Sequence, residues 1–178
     1  MPSERRIEAD EVQKAIEKMV VDIASRHKHT DPLYIVGIAD GGLTLSRRLQ
    51  AGLEERLGRE IPCGIVNITF HRDDIGLKPI PKMFIKTDLP FYLDDSAVIL
   101  VDDVLFSGRS ARAALNELFD QGRPDRVELA VLCDRGNRRL PIQPDYVGLT
   151  VETTPRQNVR ASLSNTISTA DQISIYSE

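Results

Sequence analysis

The stretch 98-VILVDDVLFSGRSARAALNELFDQG-122 decides the fold. An apolar run ends in two carboxylates, Asp102 and Asp103, followed by a loop of small and hydroxyl residues and then a helical pattern. A short continuous apolar run bounded this way reads as a strand buried on both faces, and a strand, turn and helix in that order read as part of a parallel crossover unit. Ala111, Ala114, Leu115, Leu118 and Phe119 fall on one helical face, and Gly122 is the stop. In open α/β sheets ligands settle outside the carboxyl ends of strands, where the two acids lie.

Outward from there the alternation continues. LYIVGI (33–38), PCGIVNITF (62–70) and RVELAVLCD (126–134) read as further strands. Val12, Ile16, Met19, Val20, Ile23 and Ala24 mark an amphipathic first helix, and Leu45, Leu49, Leu53 and Leu57 a second. This pattern predicts a parallel sheet covered on both faces. The proline-containing segment HRDDIGLKPIPKMFIKTDLPFYLDDS has no sustained period and reads as a long loop or hairpin of the kind that is usually functional. The chain is more polar from Tyr146 onward, and QISIYSE is expected to close the sheet edge.

With 178 residues, 41% hydrophobic and 28% charged, the chain is expected to form one soluble domain over residues 1–178. No apolar run is long enough to span a membrane, and MPSERRIEADEVQ lacks the apolar region of a secretory signal. Cys63 and Cys133 lie in apolar surroundings and read as reduced thiols of a cytoplasmic protein. A formal charge of −4 gives no overall attraction to nucleic acid. His27, His29 and His71 have no partners at metal-ligand spacing and are expected at the surface.

The turn Ser107–Ser110 opens a helix, so its N–H groups and the positive end of the helix dipole suit a phosphate. The spacing of a Walker A loop is absent. Carboxylates beside a phosphate repel it unless they face something else, and a sugar diol or a magnesium ion fits that role. The competing reading makes Asp102 and Asp103 turn caps and Ser107 a helix cap.

VILVDDVLFSGRS resembles the signature of type I phosphoribosyltransferases. VGIADGG, ITFHRDD, IKTDLPF, GRPDRVELAVLCDRGNRRLPI, DYVG and ISIYSE extend the resemblance over nearly the whole chain, to the pyrimidine operon attenuation regulators that are also uracil phosphoribosyltransferases. The resemblance implies a three-layer α/β fold with a central, mostly parallel sheet and helices on both faces. It adds a small hood, from the chain termini and 135–160, and a flexible loop at about 71–95. It implies that uracil and phosphoribosyl pyrophosphate give UMP and pyrophosphate with magnesium, and that UMP and UTP are also ligands.

By the same resemblance, Asp102 and Asp103 would hold the ribose hydroxyls and, indirectly, the metal. Val104, Leu105, Phe106, Ser107, Gly108, Arg109 and Ser110 would wrap the 5-phosphate, and Asp40, Gly41 and Gly42 would line the pyrophosphate loop. Arg72 would close over the pyrophosphate, and Asp134 and Arg135 would read the base. A homodimer or larger homo-oligomer is implied, as is an attenuator mRNA partner, with Lys18, Arg138 and Arg139 as its candidate contacts. Two departures stand out. Asp40 occupies a position where threonine is usual; it reads either as a charge set against the substrate or as a turn residue serving through its backbone. Glu17, Val21 and Asn137 replace the usual threonine, histidine and histidine of the RNA surface, which points to reduced hairpin recognition.

Overall fold

The computed structural model describes residues 5–39, 41–68 and 86–177. Its elements run β1 (Arg5–Ile7), α1 (Ala9–Arg26), β2 (Leu33–Ile38), α2 (Gly42–Leu57), β3 (Cys63–Val66), β4 (Ala97–Leu105), α3 (Arg109–Gln121), β5 (Arg126–Asp134), β6 (Tyr146–Thr150), β7 (Gln157–Ser162) and β8 (Gln172–Ser177). Five strands form a parallel sheet in the order β3-β2-β4-β5-β6. The inner strands carry continuous apolar runs, Leu33–Ile38, Ala97–Val101 and Leu129–Cys133, because both of their faces are covered there. Ile35, Ile99 and Leu132 pack with α1 and α2, while Val36, Leu100 and Val131 pack with α3. The alternation along each strand sorts the side chains between two cores.

The remaining strands form a separate antiparallel sheet, β1-β8-β7, which joins the two ends of the described chain. The expectation that QISIYSE closes the main sheet is therefore corrected. That edge belongs to β6, a half-exposed strand containing Gly148, and β8 pairs between β1 and β7 instead. Phe119, placed by the sequence on the apolar face, is 48% exposed, because α3 buries Ala111, Ala113, Ala114 and Leu118 instead. Residues 71–85 of the expected loop lie outside the described residues. Residues 86–95 pack on the α3 side, where Leu93 is buried and Phe91 stacks on Tyr34 at 4.0 Å between ring centroids. Asp88 and Ile65 exchange backbone hydrogen bonds, and the Asn67 N–H donates to Thr87 Oγ1 at 3.0 Å.

His27 corrects another expectation, since it is fully buried at the end of α1. Its Nε2 lies 2.8 Å from Glu128 Oε2, its Nδ1 lies 3.1 Å from Thr30 Oγ1, and the Tyr146 hydroxyl donates to Glu128 Oε2 at 2.6 Å. Arg26 and Arg126 approach the other Glu128 oxygen at 3.1 and 3.5 Å. Burial pushes Glu128 up, but hydrogen bonds from Tyr146 and His27 and the charges of His27 and Arg26 leave it below the usual carboxylate range. Burial, together with the Glu128 contact, pushes Tyr146 up. A carboxylate depressed in the fold contributes stability that is present above its unfolded value, about pH 4.3, and is lost as pH falls through the folded one. Glu128→Gln is expected to lower stability at pH 7 by about 2 kcal/mol and to flatten the acid limb of melting temperature against pH. An unchanged acid limb would show that the fold draws no acid sensitivity from this cluster.

Candidate active site

The chain passes from β2 to β3 on one side and later places β4 on the other, so the carboxyl ends of β2 and β4 border a topological switch point. Each end runs toward a helix that starts at the crevice. Neither α2 nor α3 has an acidic residue in its first turn, whereas α1 carries Asp10 and Glu11 there, and the first N–H of α3, that of Arg109, donates to Ser107 Oγ at 3.3 Å. The positive ends of both helices thus meet no acid of their own first turn, and negative charge is favoured there.

The loop after β4 is turned for the same purpose. The Leu105 carbonyl accepts from Arg135 N–H at 3.1 Å and the Phe106 carbonyl from Arg138 Nη1 at 3.0 Å. The Ser107 carbonyl accepts from the N–H groups of Arg139 and Leu140, at 3.0 and 3.1 Å. Across a trans peptide the next N–H points the opposite way. The N–H groups of Phe106, Ser107 and Gly108 accordingly face away from that segment, with no acceptor among the described residues. Successive N–H groups presented together form an anion-binding nest. Gly108 closes it at φ +90, a conformation that disfavours any side chain, and a β-carbon there would meet Ile142 Cβ at 3.3 Å. Glycine here therefore serves the backbone conformation as well as close approach.

The two acids end the same strand. Asp102 is buried, and its Oδ1 accepts the Asp103 N–H at 3.0 Å; Asp103 Oδ1 accepts the Val104 N–H at 2.7 Å. Burial pushes the Asp103 carboxyl up, against the opposing effects of these hydrogen bonds. Gly41 lies so close that a β-carbon would come within 2.4 Å of Asp103 Oδ1, and one on Gly42 would come within 2.1 Å of the Val101 carbonyl oxygen. The two loops are therefore fitted through their glycines.

Asp134 and Arg135 reach the same region but are heavily engaged. Arg135 is buried, lies 4.1 Å over the Phe106 ring, and donates to Thr153 Oγ1 and Thr154 O at 3.2 Å each and to Gln157 O. Asp134 Oδ1 accepts the Gly136 N–H at 2.9 Å, and Oδ2 pairs with Arg138 at 2.6 Å. These contacts hold the Arg135 guanidinium in place against residues 153–157. Gly136 and Asn137 both adopt left-handed backbone, at φ 70 and 59, a conformation that asparagine tolerates, and Asn137 Nδ2 donates to Thr153 O at 2.9 Å.

Of the residues expected to meet RNA, Arg138 is committed inside the fold and Arg139 is exposed. Lys18 is exposed, donates to Val147 O at 3.0 Å and pairs with Asp22 at 3.4 Å. Asp40 and Arg72 lie outside the described residues. Cys133 is buried beside the site, and burial pushes its thiol up to about 12, far from a reactive thiolate. Sequence reasoning missed the Arg138 fork and the 139–140 amides. Their only signal was the four-residue spacing from Asp134 to Arg138.

A phosphoribosyl transferase domain model matches residues 8–165. A "Bifunctional protein PyrR" of Desulfosudis oleivorans is 48% identical, covering 84% of this chain and 83% of its own length. A protein of the same name from Deinococcus radiodurans is 41% identical, covering 93% and 90%. Among solved structures, a hypoxanthine phosphoribosyltransferase of Trypanosoma cruzi shares the fold with TM-score 0.70 at 17% identity, covering 96% of this chain and 95% of that one. A hypoxanthine-guanine phosphoribosyltransferase of Bacillus anthracis does so with TM-score 0.67 at 15% identity, covering 99% and 98%.

Proposed function

Since the chain belongs to the bifunctional PyrR family of phosphoribosyltransferases, we propose that it forms UMP and pyrophosphate from uracil and phosphoribosyl pyrophosphate in the cytoplasm. The observation that carries this reading is the N–H cradle at 106–108, on the same strand end as the paired acids, which the glycines at the start of α2 approach closely. The cradle and the start of α3 bind the 5-phosphate, Asp102 and Asp103 hold the ribose hydroxyls, and Gly41, Gly42 and the start of α2 take the pyrophosphate. Uracil N1 bonds to the ribose C1 as the C1–O bond to pyrophosphate breaks, the bond's electron pair leaving with pyrophosphate and the N1 proton passing to solvent. This chain contributes chiefly position and fixed dipoles.

Among the described residues no three His, Cys, Asp or Glu side chains gather to hold a metal. A pair of acids fits magnesium that arrives with the substrate, since that ion commonly takes one or two carboxylates plus phosphate oxygens. When bound it would neutralise the leaving pyrophosphate, with Asp102 and Asp103 as its protein partners. The word "bifunctional" in the name of the relatives supports a second activity, which we propose is a regulatory role through attenuator mRNA, exercised by a dimer or larger assembly. Within the described residues, the internal commitment of Arg138 leaves that role less positive charge.

The test is pyrophosphate release with a panel of uracil, orotate, hypoxanthine, guanine and xanthine, each with phosphoribosyl pyrophosphate and magnesium. Uracil is expected to exceed every other base by at least about tenfold, a margin of roughly 1.4 kcal/mol in transition-state binding. A purine or orotate in first place would reassign the base. Turnover with none of them would favour a nucleotide-sensing regulator with little catalysis.

A further inference from the structure

We propose that Arg138 is a positioning residue that aims the phosphate cradle and bolts it to the base-side loop. This rests on the assignment of the 106–108 N–H groups to a sugar 5-phosphate. The Arg138 side chain is only 14% exposed. Its Nη1 donates to Phe106 O at 3.0 Å, its Nε to Ile142 O at 3.0 Å, and its Nη2 to Asp134 Oδ2 at 2.6 Å. One planar fork thus spans the phosphate loop, the near end of the base-side loop and its far end.

The Phe106 contact sets the sign of the cradle. The Phe106 carbonyl and the Ser107 N–H belong to one peptide, so holding the carbonyl toward Arg138 holds the N–H away from it, with its neighbours in the nest. Rotation of that peptide would replace a donor with an oxygen lone pair facing the phosphate. The Leu105 and Ser107 carbonyls are held by backbone amides, which side-chain replacement leaves in place. Phe106 alone in this run is held by a side chain, so the middle peptide is the one a substitution can free. Lysine does not restore it, because an ammonium lacks the rigid fork that meets Phe106 O, Gly136 O, Ile142 O and Asp134 Oδ2 in fixed directions. Nearby, Arg135 lies over the Phe106 ring and donates to Thr153, Thr154 and Gln157, so motion of this peptide also reaches the hood.

The experiment compares UMP and uridine binding by calorimetry in the full chain, for wild type, Arg138→Lys and Arg56→Gln. The last removes an exposed charge at the far end of α2 and shows how far a charge change remote from the site moves UMP binding, whereas Arg138→Lys keeps the net charge. Arg138→Lys is expected to weaken UMP at least tenfold and uridine less than twofold, with Arg56→Gln like wild type. Equal loss for both ligands would mean a general loosening, and unchanged UMP affinity would mean that the peptide needs no bolt; either overturns the proposal. If Arg138→Lys does not fold, Arg138→Gln is read instead. It removes the three-pronged fork and should weaken UMP several-fold with uridine changed less than twofold; no selective loss overturns the proposal. If wild type binds UMP no better than uridine, the phosphate assignment itself fails, and this inference falls with it.

Discussion

Replacing Asp102 and Asp103 together with asparagine is expected to lower uracil turnover at least about tenfold while leaving the fold intact, a loss of roughly 1.4 kcal/mol or more in transition-state stabilisation. The fold is expected to tolerate the change because the backbone N–H groups that donate to Asp102 Oδ1 and Asp103 Oδ1 meet an amide oxygen equally well. The chemistry does not tolerate it, because the anionic partners of the ribose hydroxyls and of magnesium disappear. Burial already holds Asp103 above the usual carboxylate range, so the charge costs stability where it stands. The double variant should therefore melt no lower than wild type, as expected when a site sacrifices stability for activity. Steady-state kinetics beside thermal melts decide the matter. Full turnover would reduce the two acids to turn caps.

Alanine at Gly42 is expected to lower stability by about 3 kcal/mol, near the upper end of ordinary overpacking, or about 6–12 °C in melting temperature. The obstacle is backbone: a β-carbon there meets the carbonyl oxygen of Val101, in the central strand, at 2.1 Å. Either α2 lifts off the sheet or β4 bends. Alanine at Gly41 should behave differently, because its β-carbon meets the Asp103 carboxylate at 2.4–2.7 Å. A side chain swings more cheaply than a strand, so Gly41→Ala should keep most of the stability and lose most of the turnover. Reversal of that order, or a wild-type melt for Gly42→Ala, would show that α2 is not seated on β4 as described.

LYIVGI and RVELAVLCD coincide with strands of the sheet because burial on both faces leaves a continuous apolar run, a signal local to the strand. The antiparallel sheet of β1, β7 and β8 carried no such signal. Its strands are short and mostly half-exposed, and β1 pairs with β8 across nearly the whole chain. His27 was misread for a related reason, since its partners Glu128 and Tyr146 lie about a hundred residues away. A glutamate inside RVELAVL was the available hint that something buried awaited it. At the site, the acids and the small-residue turn were legible because both lie in one stretch. The direction of each peptide was not, because segment 135–140 sets it from outside.

Strand β5 begins near Glu128 and ends at Asp134, six steps on, or roughly 20 Å at about 3.3 Å per residue. The ionic cluster around Glu128 and His27 sits at one end of the sheet, and the ligand-facing groups sit at the other. At that separation, changes with no shared partners add with little cross-talk. Heat and acid tolerance can thus be adjusted at one end while catalysis is adjusted at the other. A lineage entering a hotter or more acidic habitat has two largely independent dials on a single strand.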